Sequence, residues 1–339
     1  MKTEIIEINP EHISPVSIKI AAKKIQEGGL VAFPTETVYG LGADALNPKA
    51  VAKIFEAKKR PLEDPLIVHI AQKEDLFTLA ENIPDITQRL TDELWPGPLT
   101  LVLKKSSKIP PIVTAGLGTI AVRMPANTIA LVFIEFSQTP IAAPSANLFG
   151  RSSPICAQHV LDDLDGRIDI IIDGGKTIVG VESTVLDLTQ NPPCILRPGG
   201  VSIERLKKIL KEVEIYKEKK ILSPGMYRRH YSPKAKVILV EDDGKVQVEK
   251  VRKLASCLNS QRCSIGILAK EENRDKYDGF NVKLLGPEND LTVCAANLFS
   301  VLREFDKEGV DIIVAESVEE EGLGLAIMDR LRKAAGVVL

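Results

Sequence analysis

Cations held at fixed points, and loops dense in hydroxyl groups, are the residues of this chain with chemistry to offer. Ala57-Lys58-Lys59-Arg60-Pro61 gathers three cations at the close of a helical stretch. Pro61 ends that helix and turns Arg60 away from helical φ and ψ. Taken alone, a charged helix end is usually solvated, its cations favouring the negative end of the macrodipole. Other segments repeat the theme. Arg123 stands on the polar face of Thr119-Ile120-Ala121-Val122-Arg123-Met124-Pro125, where Ile120, Val122 and Met124 alternate onto the opposite face. An arginine in an otherwise apolar strand needs a carboxylate or phosphate partner. Arg197 closes a further strand-like run, Ile195-Leu196-Arg197.

Polar loops recur beside these cations. Pro34-Thr35-Glu36-Thr37-Val38-Tyr39-Gly40-Leu41-Gly42 combines hydroxyls, one carboxylate and two glycines, a composition suited to a small polar or anionic ligand. Ser145-Ala146-Asn147 follows the strand-like Pro140–Pro144, Ser152-Ser153 comes soon after, and Glu182-Ser183 opens another apolar run. His69 sits opposite the face formed by Leu66, Val68 and Ile70. Gly174-Gly175-Lys176-Thr177 imitates the end of a phosphate-binding loop, but its first glycine would fall at Ile170, inside a strand. Ser183 lacks the Gly-x-Ser-x-Gly frame of a hydrolase nucleophile. Neutralising and positioning charge fits this set better than covalent catalysis, and transfer at a nucleotide phosphate is chemistry of that kind.

These residues need an α/β frame to hold them. Ser14 and Pro15 open a first helix that Gly28-Gly29 ends. Strands are expected at 30–33, 65–70, 99–103, 119–125, 140–144, 168–173, 181–188 and 195–197, with helices near 48–58, 75–94 and 203–213. Residues 217–235 change character, with six Lys/Arg against one acid and Tyr227 and Tyr231 beside Arg228 and Arg229. Such a segment suits a basic linker that folds over an anion as a lid. Beyond it, strands at 237–241, 264–269, 282–285 and 311–315 alternate with helices at 246–258, 290–307 and 323–335. That rhythm is Rossmann-like, without the glycine fingerprint of dinucleotide binding. The expected division is a catalytic domain over 1–216, a linker over 217–235 and a smaller domain over 236–339.

Composition narrows the classes. A chain of 339 residues, 44% hydrophobic and 27% charged, reads as globular. A net charge of −2 does not announce a nucleic-acid binder. No window approaches the ~18 continuous apolar residues of a membrane span. Five scattered cysteines without a Cys-x-x-Cys pair point to free thiols in a reducing cytoplasm, and four scattered histidines give no zinc spacing. No metal site built by the protein itself is expected.

The stretches 33–45, 53–70, 94–103, 119–125, 140–147 and 180–188 closely resemble the YrdC-like L-threonylcarbamoyladenylate synthases. The Lys-x-Arg and Ser-x-Asn signature of that family matches Lys58, Arg60, Ser145 and Asn147. The linker and C-terminal part resemble the long, two-domain members. The resemblance implies a twisted open-sheet catalytic domain with a concave, positive cavity. It implies synthesis of threonylcarbamoyl-AMP and pyrophosphate from L-threonine, bicarbonate and ATP with Mg²⁺. The product would feed threonylcarbamoyladenosine formation beside the tRNA anticodon through a downstream transferase complex, with a weak tRNA contact and no membrane. Thr35, His69, Arg123, Ala143 and Ser183 would surround threonine. Lys58, Leu62, Thr119, Ser145, Asn147, Ser153, Arg197 and Tyr231 would surround ATP, with Lys58 and Arg60 catalytic. Two rival readings are an RNA-binding, ribosome-associated module and the carbamoyl-transferring domain of a hydrogenase-maturation enzyme.

Overall fold

The computed structural model describes residues 2–217, 222–227, 230–242, 244–260 and 263–339. They form two compact units. The first comprises Met1–Phe149, Ser153–Ile178 and Glu182–Met226, and the second comprises Tyr227–Leu339 with the short segments Gly150–Ser152 and Val179–Val181. The division between Met226 and Tyr227 therefore falls inside the expected linker. Arg228 and Arg229, expected to join a lid, lie outside the described residues.

The first unit is built on a mixed sheet. From one edge its strands run Glu4–Glu7, Ile170–Asp173, Val31–Phe33, Gly40–Asp44, Ile141–Ala142, Ile67–His69, Thr119–Arg123, Leu99–Lys105, Thr184–Asp187, Cys194–Arg197 and Glu214–Ile215. Helix Pro15–Gln26 is capped by Ser14, whose hydroxyl accepts from the Ser17 amide, and it buries Ile18, Ala21, Ala22 and Ile25. Helix Pro48–Lys58 is capped by Asn47 and buries Ala50, Val51, Ile54 and Phe55, the face the spacing foretold. It ends at Lys59, whose left-handed backbone (φ 54°) turns the chain so that Lys58 points inward while Lys59 stays exposed. The region 75–94, expected to be helical throughout, is broken. A short helix Leu76–Leu79 gives way to strand Ala80–Glu81, and helix Ile86–Leu94 starts only after Pro84.

Period-two alternation divides the two faces of the central strands. Leu66, Val68, Ile70, Leu101, Leu103, Ile120 and Val122 join a large core with Val51, Ile54 and Phe55. On the other face Ile67, Val102, Ala121, Val185 and Leu196 form a small separate cluster with Leu222 and Met226 packed against it. Polar side chains share that second face.

Among the described residues, the second unit carries a parallel five-stranded sheet in the order Asn281–Gly286, Ile265–Lys270, Ile312–Glu316, Lys236–Val240, Ala335–Val338. Helices Gly244–Asn259, Leu291–Lys307 and Gly324–Ala334 alternate with these strands. Strand Ala335–Val338 begins at the residue where the expected last helix ends, and it is not among the expected strands. It forms because Val237–Leu239 offers a parallel edge to Ala335–Val338, a long-range pairing that helical spacing does not reveal.

Candidate functional site

Strand register in the first unit sets one polar row across the second sheet face. His69 is opposite Arg123 and Arg123 opposite Thr100, while Thr100 is opposite the apolar Val185, whose partner Arg197 stands at a register shift. Neighbours in such a row stand about 5 Å apart with side chains on the same face. The row beside it is apolar, Ile67 opposite Ala121 and Ala121 opposite Val102.

Arg123 anchors one half of this row. It is only 4% exposed. Its Nε donates to the Gly97 carbonyl at 3.4 Å, its Nη1 donates to Thr37 Oγ1 at 2.9 Å, and its Nη2 lies 2.7 Å from Glu36 Oε2. The Thr35 hydroxyl donates to the Val38 carbonyl at 2.7 Å and lies 2.8 Å from Thr37 Oγ1. With its one hydrogen committed, Thr35 must accept from Thr37, whose lone pairs then face Arg123. The polar loop is thus wired to the strand arginine. Gly40 and Gly42 form a short strand against Phe33 and Val31. A Cβ on Gly42 would meet Ile141 Cγ2 at 2.7 Å, so a side chain there would push these strands apart.

His69 is fully enclosed beside Arg123, edge-on to the Phe33 ring at 5.9 Å. Its Nδ1 has no hydrogen-bond partner among the described residues. Burial, reinforced by the Arg123 charge, pushes its pKa down to about 3, so it is a neutral imidazole. Ala143, just past strand Ile141–Ala142, is buried as well, its amide donating to Ile67 O at 2.8 Å.

Ser183 and Arg197 anchor the other half. Ser183 Oγ lies 2.7 Å from Thr100 Oγ1. Arg197 Nη2 donates to the Ser183 carbonyl at 2.9 Å and to its hydroxyl at 3.2 Å. A second cluster gathers around the helix end. Lys58 Nζ donates to the carbonyls of Ser145 and Asn147. Arg60 Nη2 lies 2.8 Å from Asp64 Oδ2 and donates to the Pro65 carbonyl at 2.9 Å. Burial pushes the Asp64 carboxyl up, and the charges of Arg60, Lys58 and Arg197 oppose that push. Ser153 Oγ donates to Glu182 Oε1 at 2.5 Å.

The structure thus brings Thr35, His69, Arg123 and Ser183 to one sheet face, and Lys58, Arg60, Ser145 and Asn147 to one loop cluster. Thr119 shares the face of Arg123 but stands at the far end of its strand, about 13 Å away at ~3.3 Å per residue. Leu62 is 58% exposed. Tyr231 belongs to the second unit, where it is buried with Arg330 5.0 Å from its ring centroid. Thr37, Thr100, Asp64 and Glu182 were not singled out from sequence. Thr100 had the same signal as Arg123, a polar residue in an apolar strand, and Asp64 stands four residues after Arg60.

Fold and site together define a two-unit α/β protein whose first unit carries a buried, charge-bearing sheet face. Residues 23–199 match the family described as Telomere recombination, the Sua5–YciO–YrdC group. Residues 201–336 match the Threonylcarbamoyl-AMP synthase, C-terminal domain. The chain is 50% identical over 332 residues to the threonylcarbamoyl-AMP synthase of Pyrococcus abyssi (strain GE5 / Orsay), covering 96% of each chain. It is 46% identical over 322 residues to that of Bacillus subtilis (strain 168), covering 93% of this chain and 92% of the relative. The crystal structure of P. abyssi Sua5 complexed with L-threonine matches with a TM-score of 0.94 at 49% identity, covering 99% of this chain and 100% of that one. The chain belongs to the Sua5–YciO–YrdC family, in the form that carries the Sua5 C-terminal domain.

Proposed function

We propose that this chain synthesises L-threonylcarbamoyladenylate and pyrophosphate from L-threonine, bicarbonate and ATP, the product serving threonylcarbamoyladenosine formation next to the tRNA anticodon. One observation carries the reading to this site: His69, Arg123 and Thr100 share a cross-strand row with Ser183 at its edge. The chain so built is 49% identical to one crystallised with L-threonine. Threonine would lie among Thr35, His69, Arg123, Ala143 and Ser183, its carboxylate on Arg123. ATP would lie among Lys58, Leu62, Thr119, Ser145, Asn147, Ser153 and Arg197.

Bicarbonate supplies CO₂ and hydroxide, and the threonine ammonium gives up one proton to that hydroxide. The neutral nitrogen then attacks the carbon of CO₂, losing a second proton to solvent, to give an N-carboxylate. One oxygen of that carboxylate then attacks the α-phosphorus of ATP, and the bond from that phosphorus to the leaving pyrophosphate breaks. Lys58 and Arg60 are the cations assigned to the charge that grows on this phosphoryl group. Among the described residues no cluster of three or more His, Cys, Asp or Glu forms. Mg²⁺ would be held by the nucleotide, whose phosphates supply ligands as in many ATP sites. A downstream transferase consumes the labile adduct, with tRNA contacting this protein weakly and the whole sequence taking place in the cytoplasm. No helix of the described residues is long and apolar enough to cross a membrane.

The test is pyrophosphate release from ATP with Mg²⁺ and bicarbonate, with and without L-threonine, with the adduct followed by mass spectrometry. Release that depends on both threonine and bicarbonate is expected. Salt-sensitive RNA binding without turnover would overturn the reading in favour of an RNA-binding module.

A further inference from the structure

The carboxylate beside Arg123 has no role in the reading so far. Glu36 is 7% exposed, and its ion pair with Arg123 at 2.7 Å joins side chains 8% and 4% exposed. Its backbone is fixed, since its carbonyl accepts from the Ile178 amide at 3.2 Å. Its side chain is less well satisfied. A carboxylate offers about four acceptor positions, yet neither Glu36 oxygen makes a hydrogen bond of good geometry among the described residues. A buried carboxylate short of donors is costly unless something supplies them.

The surroundings leave that supply to a ligand. The Thr35 hydroxyl donates to Val38, and the Thr37 hydroxyl lies between Thr35 and Arg123. His69 is neutral because burial and Arg123 hold its pKa down. The other buried acids have cations or hydroxyls of their own, Asp64 in an ion pair with Arg60 and Glu182 accepting from Ser153. Glu36 and Arg123 thus present one negative and one positive group side by side on an enclosed face. An α-amino acid carries the same two charges in reverse on adjacent groups. Binding it as a zwitterion leaves the enclosed site electrically neutral throughout, and an isolated charge is never buried.

We propose that Glu36 receives the α-ammonium group of the amino-acid substrate while Arg123 takes its carboxylate. This inference rests on the proposed threonine site and adds an amine-recognising residue to it. Glu36 then contributes a donor-matched contact to the ammonium, and the three N–H groups of the ligand fill its empty acceptor positions. Ligands without an amine gain nothing from it.

The experiment compares two ligands on wild type, Glu36→Gln and Glu36→Asp, by calorimetric titration carried to high ligand concentration. L-Threonine has both charges, and (R)-3-hydroxybutanoate is the same skeleton without the amine. Glu36→Gln is expected to weaken L-threonine binding by about tenfold or more, the usual reach of a charge-assisted contact. It should leave (R)-3-hydroxybutanoate unchanged or bound more tightly, and Glu36→Asp should recover part of the threonine affinity. Parallel weakening of both ligands would mean that Glu36 only orients Arg123, and would overturn the proposal. Unaltered threonine binding in Glu36→Gln would overturn it too. If the wild-type chain fails to bind L-threonine, the substrate reading of the site fails first, and this inference falls with it.

Discussion

Arg60 and Asp64 form an ion pair sealed inside the first unit, 2.8 Å apart with side chains 2% and 0% exposed. The i,i+4 spacing does not make it a helical pair, because the helix has ended at Lys58 and the chain turns at Lys59. Instead Arg60 braces the following turn, its Nε donating to the Asp64 carbonyl at 3.3 Å and its Nη2 to Pro65. Removing Asp64 strands a buried guanidinium. Asp64→Asn should cost about 3–5 kcal/mol of unfolding free energy, measured by denaturant titration. The double variant Arg60→Met/Asp64→Leu should be less destabilised than Asp64→Asn. A double variant as unstable as the sum of its singles would show that the two residues are not coupled.

Lys58 differs from Arg60 in what it grips. Its ammonium holds the carbonyls of Ser145 and Asn147, the loop that resembles the family signature. A cation reaching a phosphoryl group from that loop is worth ~3–4 kcal/mol by comparison with oxyanion-stabilising donors. Lys58→Ala should therefore lower kcat by at least about a hundredfold, as should Arg60→Ala. Steady-state pyrophosphate release on folded variants decides this. Near-wild-type turnover in both would remove these residues from the chemistry.

Alternation makes much of the site legible from the residues alone. Arg123 and His69 fall on the polar faces of their strands because a period of two leaves no other choice. The cationic helix end is legible because Pro61 stops the helix immediately after it. Register is what local sequence leaves open. Nothing in Leu99-Thr100-Leu101 says that Thr100 faces Arg123, since antiparallel partners are chosen by the whole sheet. Glu36 is visible as the carboxylate of a hydroxyl-rich loop, but its pairing with Arg123 spans 87 residues and emerges only in the fold. The edge strand Ala335–Val338 escapes for a like reason, because its partner Val237–Leu239 lies far away in the chain.

The expected threonine site also predicts a limited selectivity. Serine differs from threonine by one methyl group, and a missing methyl in a pocket is worth only ~1–3 kcal/mol. The ratio of kcat/KM for threonine over serine should accordingly fall between roughly ten and two hundred. Parallel initial-rate measurements with the two amino acids test it. Equal values would show that the pocket does not read the methyl group.

The neutral state of His69 makes a prediction about acid stability. Its pKa lies near 3 in the folded chain, against 6.5 ordinarily. Between those values the unfolded chain binds a proton that the folded chain refuses, so stability from this residue is complete above pH 6.5 and is lost as pH falls toward 3. Over the fall from pH 7 to pH 5 the loss is about 2 kcal/mol, at ~1.4 kcal/mol per unit once the side chain titrates. Asp64 and Glu316, whose carboxyls burial pushes up, act with the opposite sign, because they favour the folded chain as pH falls. Their contribution is common to wild type and variant and cancels in the difference. Denaturant unfolding of wild type and His69→Gln at pH 7 and pH 5 isolates the histidine. The wild-type chain should lose about 2 kcal/mol more than the variant over that interval. Equal losses would mean that the folded chain binds the His69 proton as readily as the unfolded chain does.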